Sequence, residues 1–239
     1  MDDAPRSLAD QTVPELGGRT SVLARQQADH VELDRLLHEL GRTPPERQDP
    51  VLRRIYRLVF PHAFAEESVL WPVVRRVLPD GEELTLQVEQ EHQEVNELVT
   101  RLEALDAADP GRAATLDRLV EVLREDVRDE EDQMLPRLQV RVPPARLRRL
   151  GVAWEVVRRV APTRAHPVVA RRPPGNVLAA LPLSVVDRAR DLTDAALQHG
   201  SWARLPGLRG LSRALTALAH QVERLPPLRR GEDPSTSRA

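Results

Sequence analysis

The sequence feature that most constrains the fold is an internal repeat, which places histidines and carboxylates at matching positions in two halves of the chain. Residues 29–36 read DHVELDRL and residues 91–98 read EHQEVNEL, an offset of 62 positions. Residues 62–67 (HAFAEE) and 126–131 (DVRDEE) match at an offset of 64 positions, and each is soon followed by two apolar residues and a proline. This repeat predicts two copies of one helical hairpin, packed with pseudo-twofold symmetry.

Apolar residues recur at spacings of three and four along this region, a pattern typical of amphipathic helices. Gly- and Pro-containing segments divide the pattern into four predicted helices, at 20–40, 50–78, 82–107 and 112–139. Short connections favour antiparallel neighbours, so the sequence predicts an all-α, up-down-up-down four-helix bundle. Pro72 lies near the end of the second helix, where we expect it to kink or tighten the last turns.

The chain divides by composition into an acidic and a basic part. Residues 1–140 carry 17 arginines against 30 acidic residues, and residues 141–239 carry 18 arginines against 7 acidic residues. Such an asymmetry suggests two regions with different roles. We expect the arginine clusters at 146–149, 158–159 and 171–172 to dock on the acidic bundle; nucleic acid or an anionic membrane surface are the alternatives.

The expected organisation has four parts. They are a flexible N-terminal tail (1–18), the four-helix bundle (19–140), a helix packing on it (141–160), and a basic, proline-rich linker with a C-terminal helical extension (161–239). Within the extension, weaker patterns predict helices at 177–198 and 208–225. The chain has no apolar run long enough to span a bilayer and no export signal, so the expected location is the cytoplasm.

Three histidines and three carboxylates fall on the inner stripes of the four helices: His30, His62, Glu66, His92, Asp126 and Glu130. His62 and Glu66 are four residues apart, about 40° around the helix and about 6 Å along it, so both aim at one point. Burying ionised carboxylates costs several kcal/mol each unless a cation compensates, and no arginine occupies these inner positions. The sequence therefore predicts a metal site.

The donor set limits the metal. The chain has no cysteine, so nitrogen and oxygen must supply every ligand. Mixed imidazole and carboxylate donors suit iron, manganese or zinc better than calcium or magnesium, and six ligands with two bridging carboxylates favour two ions. Asp129 or Glu125 would replace Asp126 if the fourth helix were rotated. A metal-free bundle with internally bonded polar groups is the structural alternative.

Three further residues lie near this set. Glu67 and Glu131 fall about 100° further round their helices, which predicts surface acids, with a supporting role behind a ligand as the alternative. Tyr56, the only tyrosine, precedes His62 by six residues; its hydroxyl could bond to a bridging oxygen or control access, and a packing role is the simpler interpretation.

The order His30, His62-x-x-x-Glu66, His92, Asp126-x-x-x-Glu130 resembles the hemerythrin-like (HHE cation-binding) family, over roughly residues 20–140. That resemblance implies a non-haem di-iron centre, bridged by Glu66 and Glu130 and by an oxo or hydroxo group. Iron is expected ahead of manganese or zinc. Asp126 departs from the family pattern, which has histidine there. An anionic ligand should favour the ferric state and make reversible oxygen carriage harder to sustain.

Two functions follow as hypotheses. The first is redox chemistry on a small oxidant (hydrogen peroxide, dioxygen or nitric oxide), with a catalase-like or protective activity preferred. The second is an iron or oxygen sensor without turnover, which signals through the basic extension to a protein partner that the sequence does not identify. Nucleic acid is not an expected partner, since the Arg clusters are expected to bind the bundle.

Overall fold

The computed structural model describes residues 6–198 and 207–236, and all of its regular structure is helical. Four helices form the bundle. They are α1 (Val22–Arg42), α2 (Asp49–Ala65, continued by a π-helical turn at Glu66–Leu70 and by Trp71–Val77), α3 (Gly81–Ala104) and α4 (Pro110–Asp129, continued by a π-helical turn at Glu130–Met134 and by Leu135–Arg141).

The bundle core consists of two apolar clusters with a polar layer between them. One cluster contains Leu23, Trp71, Val88 and Met134, and the other contains Leu33, Ile55, Val95 and Leu123. Along α1 the first cluster comes before the polar layer, along α2 it comes after, and the order alternates again in α3 and α4. This alternation confirms the up-down-up-down arrangement.

The N-terminal segment differs from the expected loose tail over its described part. Leu8 and Leu16 are fully buried in the first apolar cluster. The side chain of Gln27 donates hydrogen bonds to the carbonyls of Leu8 and Gln11, at 2.6 and 2.8 Å. Two leucines spaced eight apart carry no clear helical period, which is why the sequence pattern concealed this packing.

Helix α5 (Pro144–Val160) lies against α1 and α2. Its Trp154 is 1% exposed, and the indole meets the ring of His62 edge-on with centroids 5.4 Å apart. Gly151 permits this close approach, because a Cβ there would lie 2.0 Å from the carbonyl oxygen of Thr20. The added helix therefore forms part of the wall behind a candidate metal ligand.

Residues 161–174 are not a free linker, contrary to the sequence-based expectation. Ala161, His166, Ala170 and Arg171 are buried, and this segment leads into α6 (Gly175–Gln198) and α7 (Leu208–Glu223). Prolines break any helical period here, so the pattern resembled a linker, although polar and ionic contacts fasten the segment to the bundle. His199 lies outside the described residues. Among the helices described, none is both long and apolar enough to cross a membrane.

Candidate metal centre

The polar layer brings the predicted histidines and glutamates together. Nε2 of His62 lies 3.1 Å from Oε1 of Glu66, and Nε2 of His92 lies 3.6 Å from its Oε2. Nε2 of His30 lies 3.3 Å from Oε2 of Glu130. The two oxygens of Glu66 thus face histidines from different halves of the repeat.

Two groups of ligand atoms are each compact enough to hold one metal ion. In the first, atoms of His30, His62 and Glu130 lie within 4.8 Å of one another, and in the second, atoms of Glu66, His92 and Glu130 do. Glu130 belongs to both groups. A carboxylate shared in this way can bridge two neighbouring cations.

Asp126 lies at the edge of the second group. Its Oδ1 is 3.6 Å from Nε2 of His92 and is buried with no hydrogen-bond partner. The two alternatives on α4 point elsewhere: Glu125 is 3.5 Å from Arg118, and Asp129 accepts from Gln87 at 2.6 Å. Of the three acids, Asp126 is the one that the structure places beside the cluster.

A second layer of carboxylates holds the histidines from behind. Nδ1 of His30 donates to Glu131 at 2.9 Å, Nδ1 of His62 to Asp29 at 3.2 Å, and Nδ1 of His92 to Glu67 at 3.0 Å. Such outer carboxylates fix the ring orientation of metal-binding histidines, so that Nε2 faces the metal.

The expectation that Glu67 and Glu131 are surface acids is therefore wrong. The Glu67 side chain is 1% exposed and the Glu131 side chain 12%. The prediction assumed about 100° per residue, but both helices change to π-helical geometry at this point. The supporting role behind a ligand, which was the alternative, agrees with the structure.

The two π-helical turns have a cause in the sequence. Pro72 and Pro136 lack the N–H that would bond to the carbonyls four residues earlier, and their rings clash with those carbonyls. The N–H of Trp71 bonds instead to the carbonyl of Glu66, and that of Leu135 to the carbonyl of Glu130. Pro72 thus widens the helix rather than tightening it. Both π-helical turns begin at a candidate bridging glutamate, and such turns are often found at functional sites.

The sequence reasoning missed several contributors, among them Asp29 behind His62 and, closest to a candidate bridge, Gln26. Gln26 is fully buried, and its amide donates to Oε1 of Glu66 at 2.6 Å. The repeat places Val88 at the matching position in the other half, so symmetry gave no signal for it. Its spacing of four residues from His30 on the same helix face was the available clue.

The pKa values of several residues in the cluster lie far from their ordinary values. Burial alone would lower the pKa of His30, but Glu130 and Glu131 outweigh it and raise that pKa to about 9. In the same way Asp126 and Glu67 raise the pKa of His92 to about 10. Burial, reinforced by the charge of Glu66, raises the pKa of Glu130 to about 7. The protonation states of these histidines and carboxylates depend on one another, because their charges interact strongly where water is excluded.

Unpartnered oxygens test whether these residues fit a metal. Oε2 of Glu66, Oδ1 of Asp126 and both oxygens of Glu130 are buried without a hydrogen-bond donor. Buried acceptors are normally satisfied, and leaving a charged one unpaired is costly. Four such atoms around three inward imidazole nitrogens fit a nitrogen- and oxygen-coordinated cation site.

A small cavity adjoins the cluster. It has about 20 Å³ of space for the centre of a water-sized sphere, enough for one such molecule. His30, His62, His92 and Asp126 line it together with Leu33, Leu123, Val127 and other apolar residues. A cleft of about 390 Å³ on the outer side shares His30, Leu33, Leu123 and Val127 with this cavity.

Tyr56 does not join the cluster. It is 7% exposed within the second apolar cluster and lines a separate cleft with Glu103 and Arg112. None of the candidate ligands lines that cleft. Burial raises the pKa of Tyr56 further above its ordinary value, and the packing interpretation fits this position.

The fold and site define a metal-binding helical-bundle protein, with a compact layer of histidines and carboxylates inside four antiparallel helices. A sequence profile of the hemerythrin HHE cation-binding domain matches residues 21–138. The chain belongs to this hemerythrin-like family through that domain, which covers all of the candidate ligands.

Two relatives are similar to part of the chain at lower identity. An uncharacterized hemerythrin-like protein of Schizosaccharomyces pombe is 26% identical over 134 residues, covering 56% of this chain and 66% of that protein. A DNA nickase of Nostoc is 28% identical over 107 residues, covering 44% of this chain and 30% of the nickase. The chain thus spans under two thirds of the length of both relatives. No solved structure matches the chain.

Proposed function

We propose that this protein holds two iron ions between its three histidines and three acidic ligands, and acts on a small oxidant such as hydrogen peroxide, dioxygen or nitric oxide. One observation carries the proposal: unpartnered carboxylate oxygens of Glu66, Asp126 and Glu130 are buried beside three inward-facing imidazoles. His30 and His62 would help to hold one ion and His92 and Asp126 the other, with Glu66 and Glu130 as the carboxylates shared between them.

When bound, iron supplies redox chemistry and polarises the oxidant. The protein residues orient and protect the centre. Asp29, Glu67 and Glu131 keep the three imidazole rings turned inward, since each accepts the Nδ1 hydrogen of one histidine. Leu33, Leu123 and Val127 line both the outer cleft and the small cavity, so an oxidant that enters from this cleft would pass these apolar side chains.

The acidic ligand set favours oxidant removal over reversible carriage. Asp126 is anionic where the family pattern has a neutral histidine, and extra negative charge stabilises the ferric state. A catalase-like or peroxide-scavenging activity is therefore the preferred form, with protection against oxidative stress as its purpose.

Two measurements on iron-loaded protein test this proposal. Elemental analysis should find two irons per chain, and the absorption spectrum should respond to hydrogen peroxide. Oxygen evolution from peroxide, followed with an oxygen electrode, would support the catalase-like form. Protein that contains iron but neither changes its spectrum nor evolves oxygen would contradict it. The Glu66→Gln, Glu130→Gln double variant is the matched control, since it lacks both candidate bridges.

A sensor function is the second candidate, and a structural observation favours it. The C-terminal extension reaches the second layer of the site, where Arg171 lies 3.8 Å from Glu67. If metal binding moves Glu67, its contact with Arg171 changes, and with it the position of the extension. Limited proteolysis should then cut residues 161–198 at different rates in metal-loaded and metal-free protein, and identical patterns would argue against sensing.

A further inference from the structure

Among the described residues, the C-terminal extension reaches the candidate metal centre at the side of His92. Nη1 of Arg171 lies 3.8 Å from Oε1 of Glu67, and the same oxygen accepts the Nδ1 hydrogen of His92 at 3.0 Å. The side chains of Glu67 and Arg171 are 1% and 10% exposed. A guanidinium from beyond residue 160 therefore sits behind a ligand histidine, with little solvent to screen its charge.

Arg171 is held in place by the extension itself. Its Nη2 donates to the carbonyl of His166 at 3.0 Å, and its backbone N–H donates to the carboxylate of Glu232. The side chain of Asn176 donates to the carbonyl of Arg171 at 2.9 Å. The guanidinium position thus depends on a docked extension, including its last described turn.

A second contact connects the same segment to the same ligand. The backbone N–H of His166 donates to Oδ1 of Asn96 at 2.8 Å, and Nδ2 of Asn96 donates to the backbone carbonyl of His92 at 2.8 Å. The extension therefore fixes both the ring of His92, through Glu67, and its backbone, through Asn96.

The other half of the repeat lacks these contacts. Glu131 occupies the position equivalent to Glu67 and pairs with His30, and no arginine among the described residues pairs with it. Asp34 occupies the position equivalent to Asn96, and its side chain is 63% exposed. The extension breaks the pseudo-twofold symmetry of the bundle at the His92 side.

We propose that Arg171 is a positioning residue for the metal held at His92, so that affinity at one of the two metal positions depends on the docked extension. Arg171 keeps the Glu67 carboxylate in place against Nδ1 of His92, which turns Nε2 towards the metal. This inference rests on the proposed dinuclear centre. Glu67 is the direct outer partner of the ligand His92, and loss of such a partner typically lowers metal affinity about 10- to 100-fold. Arg171 acts through Glu67, so this range applies to Arg171 as an upper bound.

Cobalt(II) titration of the full-length metal-free protein tests the proposal, with visible absorption reporting each binding step. We expect Arg171→Gln to weaken one of two cobalt positions by up to about 10- to 100-fold and to leave the other within a factor of about three. Arg171→Lys should recover most of the loss because it retains the charge. Arg188→Gln is the matched control: Arg188 lies on the same extension and bonds to Ser184 and to the backbone carbonyl of Arg159 rather than to Glu67.

A double-variant cycle separates positioning from a general loss of structure. Glu67→Gln should reproduce the Arg171→Gln loss, and combining the two should cost no more than either alone. Equal weakening of both cobalt positions, additive losses, or unchanged affinity in Arg171→Gln would overturn the proposal. If Arg171→Gln fails to fold, Glu67→Gln with and without Arg171→Lys gives the same comparison. Wild-type protein that takes up no cobalt would instead contradict the metal centre itself.

Discussion

Oδ1 of Asp126 lies 3.6 Å from Nε2 of His92, buried and without a hydrogen-bond donor. Burial raises the pKa of Asp126 well above its ordinary value, and neighbouring Glu130 and Glu66 add to the effect against the opposing charge of His92. Glu91, next to His92, also has a raised pKa, mainly because of burial. An acidic group is thus kept in a place where its charge is unfavourable without a cation.

Asp126→His should convert the site to the ligand pattern of the family. We expect the absorption spectrum of the iron-loaded variant to move towards that of oxygen-binding relatives, because a neutral imidazole replaces an anionic oxygen donor. Asp129→His is the control and should leave the spectrum as it is, because Asp129 lies three residues further along α4 and accepts a hydrogen bond from Gln87 instead of facing the cluster. An unchanged spectrum in Asp126→His would mean that Asp126 is not a ligand.

Glu130→Gln should raise the free energy of unfolding of the metal-free protein and lower the stabilisation that bound metal gives. Its folded pKa of about 7 lies above the ordinary 4.5, so the stability of the metal-free protein falls as pH rises from 4.5 to 7. At pH 8 the variant has no buried charge at position 130. Its free energy of unfolding without metal should therefore exceed that of the wild-type protein by up to roughly 3 kcal/mol. Urea unfolding with and without chelator measures both states.

The same experiment reports the stabilisation by metal. Wild-type protein should gain about 2.7 kcal/mol when free metal is at 100 times its Kd, whereas Glu130→Gln should gain much less. Wild-type protein with equal unfolding midpoints in iron and in chelator would contradict the metal centre altogether.

Leu33 lines both the inner cavity and the outer cleft, and it is 6% exposed. Leu33→Ala should open the wall between them and speed the reaction of azide with the iron-loaded centre, measured by stopped-flow absorption. The lost packing should cost about 2–5 kcal/mol of stability. Leu37→Ala is the control, since Leu37 lines only the outer cleft and is 4% exposed. Equal azide rates in both variants would rule out this entry route.

His166 should make the docking of the extension dependent on pH. Burial would lower its pKa, but Asp187 and Glu223 outweigh it and raise the pKa from 6.5 to about 9. Its contribution to stability is therefore complete below pH 6.5 and is lost as pH rises through about 9.

Metal-loaded wild-type protein should thus exceed His166→Gln by roughly 3 kcal/mol at pH 6, and the difference should shrink by pH 10. Urea unfolding at the two pH values measures it. His38→Gln, at an exposed position on α1, is the control and should show no such difference. A constant difference between wild type and His166→Gln would refute the ionic contribution.

Much of the bundle was predictable from sequence because each helix is marked by apolar residues at regular spacing within a short stretch of the chain. The spacing of Leu33, Val95 and Leu123 on helical stripes places each helix, and the repeat of His30 and His92 pairs the two hairpins. The outer acids were harder to assign. Glu67 and Glu131 lie in π-helical turns that precede Pro72 and Pro136, where the usual 100° per residue does not predict the direction of a side chain.

By itself, the sequence determined a four-helix bundle with a layer of histidines and carboxylates at its centre, because helical period and repeat offset fix which side chains share a face. Only the tertiary structure decided that Arg171 and His166 join that layer from behind. Their contacts with Glu67 and Asn96 span 104 and 70 positions along the chain. No local period records such contacts, since they arise only when the extension folds back over the bundle.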